Sequence, residues 1–314
     1  MRTILWLVLG LSMMWALPGF ASASAGAPVH WAADAAAVMQ AIGAEIPEGS
    51  LDKPIEADEW ERMVTVVFAP VLAEKHKDYH YWINAYTHLQ LQDGKIERRW
   101  AVGGLVKLLN AAGKAPGSFS AKEAQLDLVY ADVDQIGEEN NALWEVAYQL
   151  GLVKGYPGDT LSPSTYLTYA EAAVLLDRAF ELVSQQRFGY ISALSGQQGQ
   201  WSASLDEAKW LTDEQAIKTA MIADGRCDAA TESCTAPNGF YIQNESETYE
   251  PVALSPEAVI LVWGPESADG SKRVTLSDFQ TSLTGERFAD GFRAPYHLYL
   301  HNGAVVKIVE QYLP

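Results

Sequence analysis

The sequence predicts an α+β chain of two parts, an all-α N-terminal body followed by a mostly β C-terminal domain. Three observations predict it. Paired apolar runs at helical spacing recur three times between residues 29 and 186. Between Ser184 and Arg187 the texture changes, and short runs rich in β-branched and aromatic residues take over. Ahead of both parts, residues 1–25 read as a secretory segment.

In that first segment Arg2 is the charged start, ILWLVLGLSMMWAL the apolar stretch, and Ala21-Ser22-Ala23-Ser24-Ala25 the cleavage region. Cleavage is expected after Ala23 or Ala25. The apolar run is too short for a comfortable membrane span, so no stable span is expected once it is removed. The remaining 290 or so residues suffice for two modest domains. With 22 basic against 40 acidic residues the formal charge is −18. That balance argues against nucleic acid and against electrostatic adhesion to an anionic membrane.

Trp31, Trp82 and Trp144 each stand near the start of an apolar helical run: WAADAAAVMQAIGAEI, WINAYTHLQLQ and WEVAYQLGLV. A polar break and a second helix follow each, in PIEADEWERMVTVVFAPVL, IERRWAVGGLVKLLNAAG and LTYAEAAVLLDRAFELV. Ile55, Ile96 and Leu167 occupy matching lead-in positions. The units span about 29–73, 78–127 and 129–186. In the third, Leu143, Trp144, Ala147, Leu150 and Leu152 form the first stripe. Gly155-Tyr156-Pro157-Gly158 ends that helix, because glycine tolerates positive φ and Pro157 has no N–H. Thr168 and Glu171 predict a capping box for the second helix, with Leu175, Leu176, Ala179, Phe180 and Val183 on its apolar face. A helix pair of this size cannot bury both stripes, so the units are expected to stack on one another.

The order and spacing of residues 130–183 resembles an S-layer homology (SLH) module, most clearly here and in degenerate form in the first two units. The resemblance implies a pseudo-threefold helical body and, as partner, a secondary cell-wall polysaccharide or surface-layer component. It places the protein outside a bacterial cell, secreted to the wall or cell surface. The family's recognition pattern matches Asp132, Trp144, Gly155, Tyr156 and Glu171 as glycan-binding residues. It also contains a Thr-Arg-Ala-Glu opening to the second helix, whose arginine suits an anionic polymer because its fork can bond a carboxylate bidentately. Here the opening reads Thr168-Tyr169-Ala170-Glu171, and Tyr169 stands in the arginine's place. The first unit reads Glu56-Ala57-Asp58-Glu59 and the second Glu97-Arg98-Arg99-Trp100.

The C-terminal part, residues 187–314, is expected to be a small barrel or twisted sheet with one helix. YISALS, WSASLDEAKWL, GFYIQNE, AVILVW, YHLYLH and AVVKIVEQYL read as strands. A helix is expected over Asp213–Asp224, with Thr212 as cap and Gly225 as stop. Asn302-Gly303 predicts a two-residue hairpin turn. Cys227 and Cys234, seven positions apart in an exported chain, are expected to form a local disulfide.

No cofactor, metal or catalytic residue is expected. His76 and His80, and His297 and His301, are paired at i, i+4. The second pair lies on a strand, where that spacing exceeds a metal's reach. Glu56, Asp58, Glu59 and Glu61 read as a solvated helix face. Six aromatics, Trp201, Trp210, Tyr249, Trp263, Tyr296 and Tyr299, fit a stacking surface or cross-strand core pairs. The expected function is that of a non-catalytic cell-envelope protein. The alternatives are a secreted interaction or inhibitory protein whose module no longer binds glycan, and a secreted enzyme with its site in the β domain.

Overall fold

The computed structural model describes residues 29–115, 126–197, 199–228, 234–264, 270–284 and 293–313. The expected secretory segment, residues 1–25, lies outside the described residues. The helical part begins with α1 (Ala33–Ala41) and α2 (Ala57–Lys75), then α3 (Tyr79–Thr87) and α4 (Arg98–Ala111). The short α5 (Leu126–Val129) and a 3₁₀ turn (Val133–Ile136) lead into α6 (Glu138–Gln149) and α7 (Tyr169–Val183). Each long stripe has a physical terminus. Gly43, Gly113 and Gly151 follow α1, α4 and α6 at φ of +98°, +69° and +71°, which a side chain would strain. Thr168 and Glu171 form the expected capping box on α7.

The pairs interlock. The second helix of each pair packs on the first helix of another: α2 on α3, α4 on α6, and α7 back on α1. Ile55, Ile96 and Leu167 are fully buried at the centre. Their backbones bond one another, with Ile55 N–H donating to Leu167 O at 2.8 Å and Leu167 N–H to Ile96 O at 2.9 Å. Ala57 N–H donates to Gly94 O at 2.9 Å and closes the third side.

Five strands then close a barrel. β1 (Gln185–Gln197) pairs antiparallel with β2 (Gln200–Glu207), and β2 with the first half of β5 (Tyr249–Trp263). The second half of β5 runs parallel to β8 (Ala304–Glu310). β8 pairs with β7 (Pro295–His301), which returns to β1. This is the connectivity of a five-stranded Greek-key barrel of the OB kind. Pro256, which has no N–H to give, lies between Leu254 and Val259, where the β5–β8 register shifts. β3 (Lys209–Leu211) and β4 (Tyr241–Gln243) form a separate ribbon, and β6 (Ser271–Val274) extends β5. Asn302 and Gly303 turn β7 into β8 at φ of +49° and +80°, the backbone that Asn-Gly favours. Cys227 and Cys234 are disulfide-bonded.

Two expectations need correction. Among the described residues the β part holds two helices, α8 (Glu214–Ala223) and α9 (Leu276–Thr284), where one was expected. Thr275 opens α9: its hydroxyl accepts from Asp278 N–H at 3.1 Å, and Phe279 plugs the barrel against Tyr296. The cap of α8 is Asp213, which accepts from Ala216 N–H at 2.8 Å, and not Thr212. One residue's shift places Asp213 at the position whose side chain faces the orphan N–H groups.

The barrel has its own core of Ile191, Leu205, Val252, Leu298 and Ile308. Its outer face also carries Val259, Tyr299 and Val306 into the helical core. There Lys307 on β8 is buried against Asp177 and Glu181 on α7, at 2.8 and 2.6 Å. Helices and barrel therefore share one continuous interior.

Candidate functional site

The turn between α6 and α7 gathers four of the five residues matched to the SLH pattern. Gly155 sits at φ +69°, and a Cβ there would lie 2.3 Å from the Tyr130 ring. Glycine is needed both for the backbone and for the close approach. Tyr156 follows, its N–H donating to Thr160 O at 2.7 Å, which folds the turn back on itself. Asp132 fastens the far side. Its two carboxylate oxygens accept from Leu161 N–H and Ser162 N–H, each at 2.8 Å.

Leu161 is the hub. Its carbonyl accepts from Arg98 Nε at 3.1 Å, from the start of α4 in the second unit. Arg98 is buried, with its guanidinium 5.0 Å from the centre of the Tyr156 ring and 3.6 Å from Glu171 Oε1. The Tyr156 hydroxyl donates to the same Glu171 oxygen. The other oxygen of Glu171 accepts from Thr168 N–H at 2.8 Å. Burial pulls the Arg98 pKa down and Glu171 opposes that pull. A guanidinium still stays charged at any ordinary pH. Trp144, the fifth matched residue, is fully buried behind this cluster and donates from Nε1 to Arg99 O at 3.2 Å. It thereby holds the backbone next to Arg98.

Sequence reasoning did not include Arg98 among the site residues, because the unit around it matches the family weakly. The signal was present: counting from Ile96 and Leu167, Arg98 occupies the family's arginine position and Tyr169 is its counterpart. The Tyr169 hydroxyl donates to Glu59, the residue of α2 that corresponds to Glu171. The two contacts are alike in form, one helix start reaching the glutamate of another unit.

Chemically, this cluster binds the units to each other. Every matched side chain has an internal partner, and Arg98 is engaged from three directions. Arg99 is more accessible, paired with Glu97 and donating to Gln135 O at 3.3 Å.

The remaining candidates are scattered. His76 bonds Ala111 O at 3.0 Å, His88 bonds Glu61 at 2.8 Å, and His297 bonds Gln311 at 3.0 Å. Burial lowers the pKa of His297 and of His301. Among the described residues no group of three or more histidines, cysteines and carboxylates is placed to hold a metal. Of the six aromatics singled out in the β part, Tyr296 and Tyr299 are buried, Trp263 is exposed and the other three are half-buried. Among the described residues no helix is long and apolar enough to cross a membrane.

Comparison with known proteins agrees with this geometry. No curated protein matches the chain. The family model of the S-layer homology domain matches residues 145–173, from within α6, through the Gly-Tyr-Pro turn, to the capped start of α7. The chain therefore carries a segment similar to an S-layer homology domain, and that segment lies in its third helical unit.

Proposed function

We propose that this is an exported, non-catalytic cell-envelope protein. Its helical body associates with cell-wall polysaccharide or a surface layer and presents the barrel. The observation that carries the reading is the SLH match on a segment whose fold-making parts are intact: both stripes, the Gly155 turn and the Thr168–Glu171 cap. A pseudo-threefold body belongs to the same reading. It is supported by the cyclic order in which α2, α4 and α7 each pack on another pair's first helix, and by the central bonds among residues 55, 96 and 167. In this reading Asp132, Trp144, Gly155, Tyr156 and Glu171 shape the module's surface for the polymer. The experiment is co-sedimentation of the purified chain with wall sacculi. Recovery in the pellet supports the reading, and complete recovery in the supernatant, with no retention on purified surface layer either, refutes it.

A second reading has its own observation. Arg98 is the residue at the family's arginine position, and it is spent on Tyr156, Glu171 and Leu161. A body with its guanidinium so buried suits a secreted interaction protein that no longer reads an anionic glycan. A folded chain retained by neither sacculi nor purified surface layer would favour it.

A further inference from the structure

The first and third units fill the space beside their second helix differently. In the third, Tyr156 lies over Arg98 with its hydroxyl on Glu171, and Arg178 reaches Leu152 O at 2.7 Å. In the first unit the connection is four residues shorter, running Gly43 to Ile55 against Gly151 to Leu167. Backbone bonds locate the difference. Tyr169 N–H and Ala170 N–H donate to Lys53 O and Leu51 O, just as Arg98 N–H and Arg99 N–H donate to Thr165 O and Pro163 O. The missing residues fall before Leu51, where the third unit has its Gly-Tyr-Pro-Gly turn. Glu59 corresponds to Glu171, and Val66, seven residues on, stands where Arg178 does.

A cleft of about 480 Å³ opens in that place. Pro47, Met63 and Val66 line its apolar part, and Glu59, Arg62 and Thr65 its polar part. The volume lies in the ~300–1,000 Å³ range of small-molecule sites. We infer that this cleft binds an uncharged, hydroxyl-bearing ring, one sugar residue of a wall polysaccharide, in the position that Tyr156 fills in the third unit.

The third unit shows what such a space accepts: a flat ring whose hydroxyl donates to the glutamate of the neighbouring helix. A sugar ring offers hydroxyl donors to Glu59 and a C–H face to Met63 and Val66. Glu59 is already held by the Tyr169 hydroxyl and by Arg62 at 3.5 Å, and a carboxylate retains acceptor sites beyond these. The Thr65 hydroxyl donates to Glu61 O at 2.7 Å, so it faces a ligand as an acceptor. Glu45, Glu59 and Glu61 outnumber Arg62 on the lining, and an anionic polymer would be repelled there. This inference rests on the helical body's association with wall polymer and assigns it a ligand chemistry unlike the acidic one.

The test uses the full purified chain and oligosaccharides released from wall polysaccharide, separated by anion exchange into neutral and acidic fractions. Titration calorimetry should show binding of the neutral fraction. Val66→Arg, which restores the third unit's filling, should weaken it at least tenfold. Arg62→Ala, at an exposed side chain, should weaken it severalfold with an unchanged melting temperature. Binding of the acidic fraction instead, or an affinity untouched by both variants, overturns the inference. Sedimentation on sacculi separates the two failures. If Val66→Arg leaves both titration and sedimentation intact, the cleft is not the site although the wider reading stands. If the unaltered chain does not sediment, the wider reading falls as well.

Discussion

Arg98 decides how the third unit is read. A guanidinium removed from water is tolerated only when its donors and charge are answered, and here Leu161 O, Glu171 and the Tyr156 ring answer them. Arg98→Ala should cost about 3 kcal/mol in urea unfolding, because it leaves Glu171 buried without its counter-charge. Gly155→Ala should destabilise by more than ~1 kcal/mol, since alanine must adopt φ +69° and displace Tyr130. Both glycine and capping box were legible in the sequence, because they act within a few residues. The arginine was not. Its partners lie some 60 to 70 positions away, and only the fold brings Leu161 and Glu171 to it.

Among elements, the same division between local and distant holds. Helices α2, α4, α6 and α7 follow from apolar stripes, and β7–β8 follows from Asn302-Gly303. Closure of the barrel by β2 on β5 and the parallel β5–β8 pair depend on long-range register, which alternation does not encode. The α9 helix was missed although Thr275 and Asp278 supply a cap signal, because its nine residues show too few apolar positions to stand out. The α7–β8 contact was likewise invisible. Its Lys307 serves two carboxylates that repel each other. Burial, partly opposed by Lys307, pushes the Asp177 carboxyl up to about 6, above its ordinary 3.8. Burial lowers Lys307, but attraction to both carboxylates outweighs it and leaves that pKa raised.

Folded Asp177 holds its proton more tightly than the unfolded chain does. Its contribution to stability is therefore full below pH 3.8 and is lost as pH rises through about 6. Unfolding free energies across pH 4–7 should show this downward slope in the native chain and a flatter one in Asp177→Asn. At pH 7, Lys307→Met should destabilise by about 3 kcal/mol, because it leaves Asp177 and Glu181 facing each other without a cation.

At the scale of the whole molecule, helices and barrel share one interior through Val259, Tyr299 and Val306. Thermal unfolding of the chain should accordingly give a single transition reported alike by far-ultraviolet dichroism and by tryptophan fluorescence. Two separated transitions would mean that the shared interior does not couple the parts. The barrel is then presented in a fixed orientation on the third helical unit, the one matched by the SLH family. An acidic surface, with a formal charge of −18, makes adventitious adhesion to an acidic polymer unfavourable, so any wall binding must come from a formed site.

That claim is tested most directly by measuring the fraction of purified chain that pellets with native sacculi and with sacculi stripped of secondary polysaccharide. Saturable binding to the native preparation, and loss of most of it after stripping, is the expected result. Equal pelleting with both, or none with either, would contradict it.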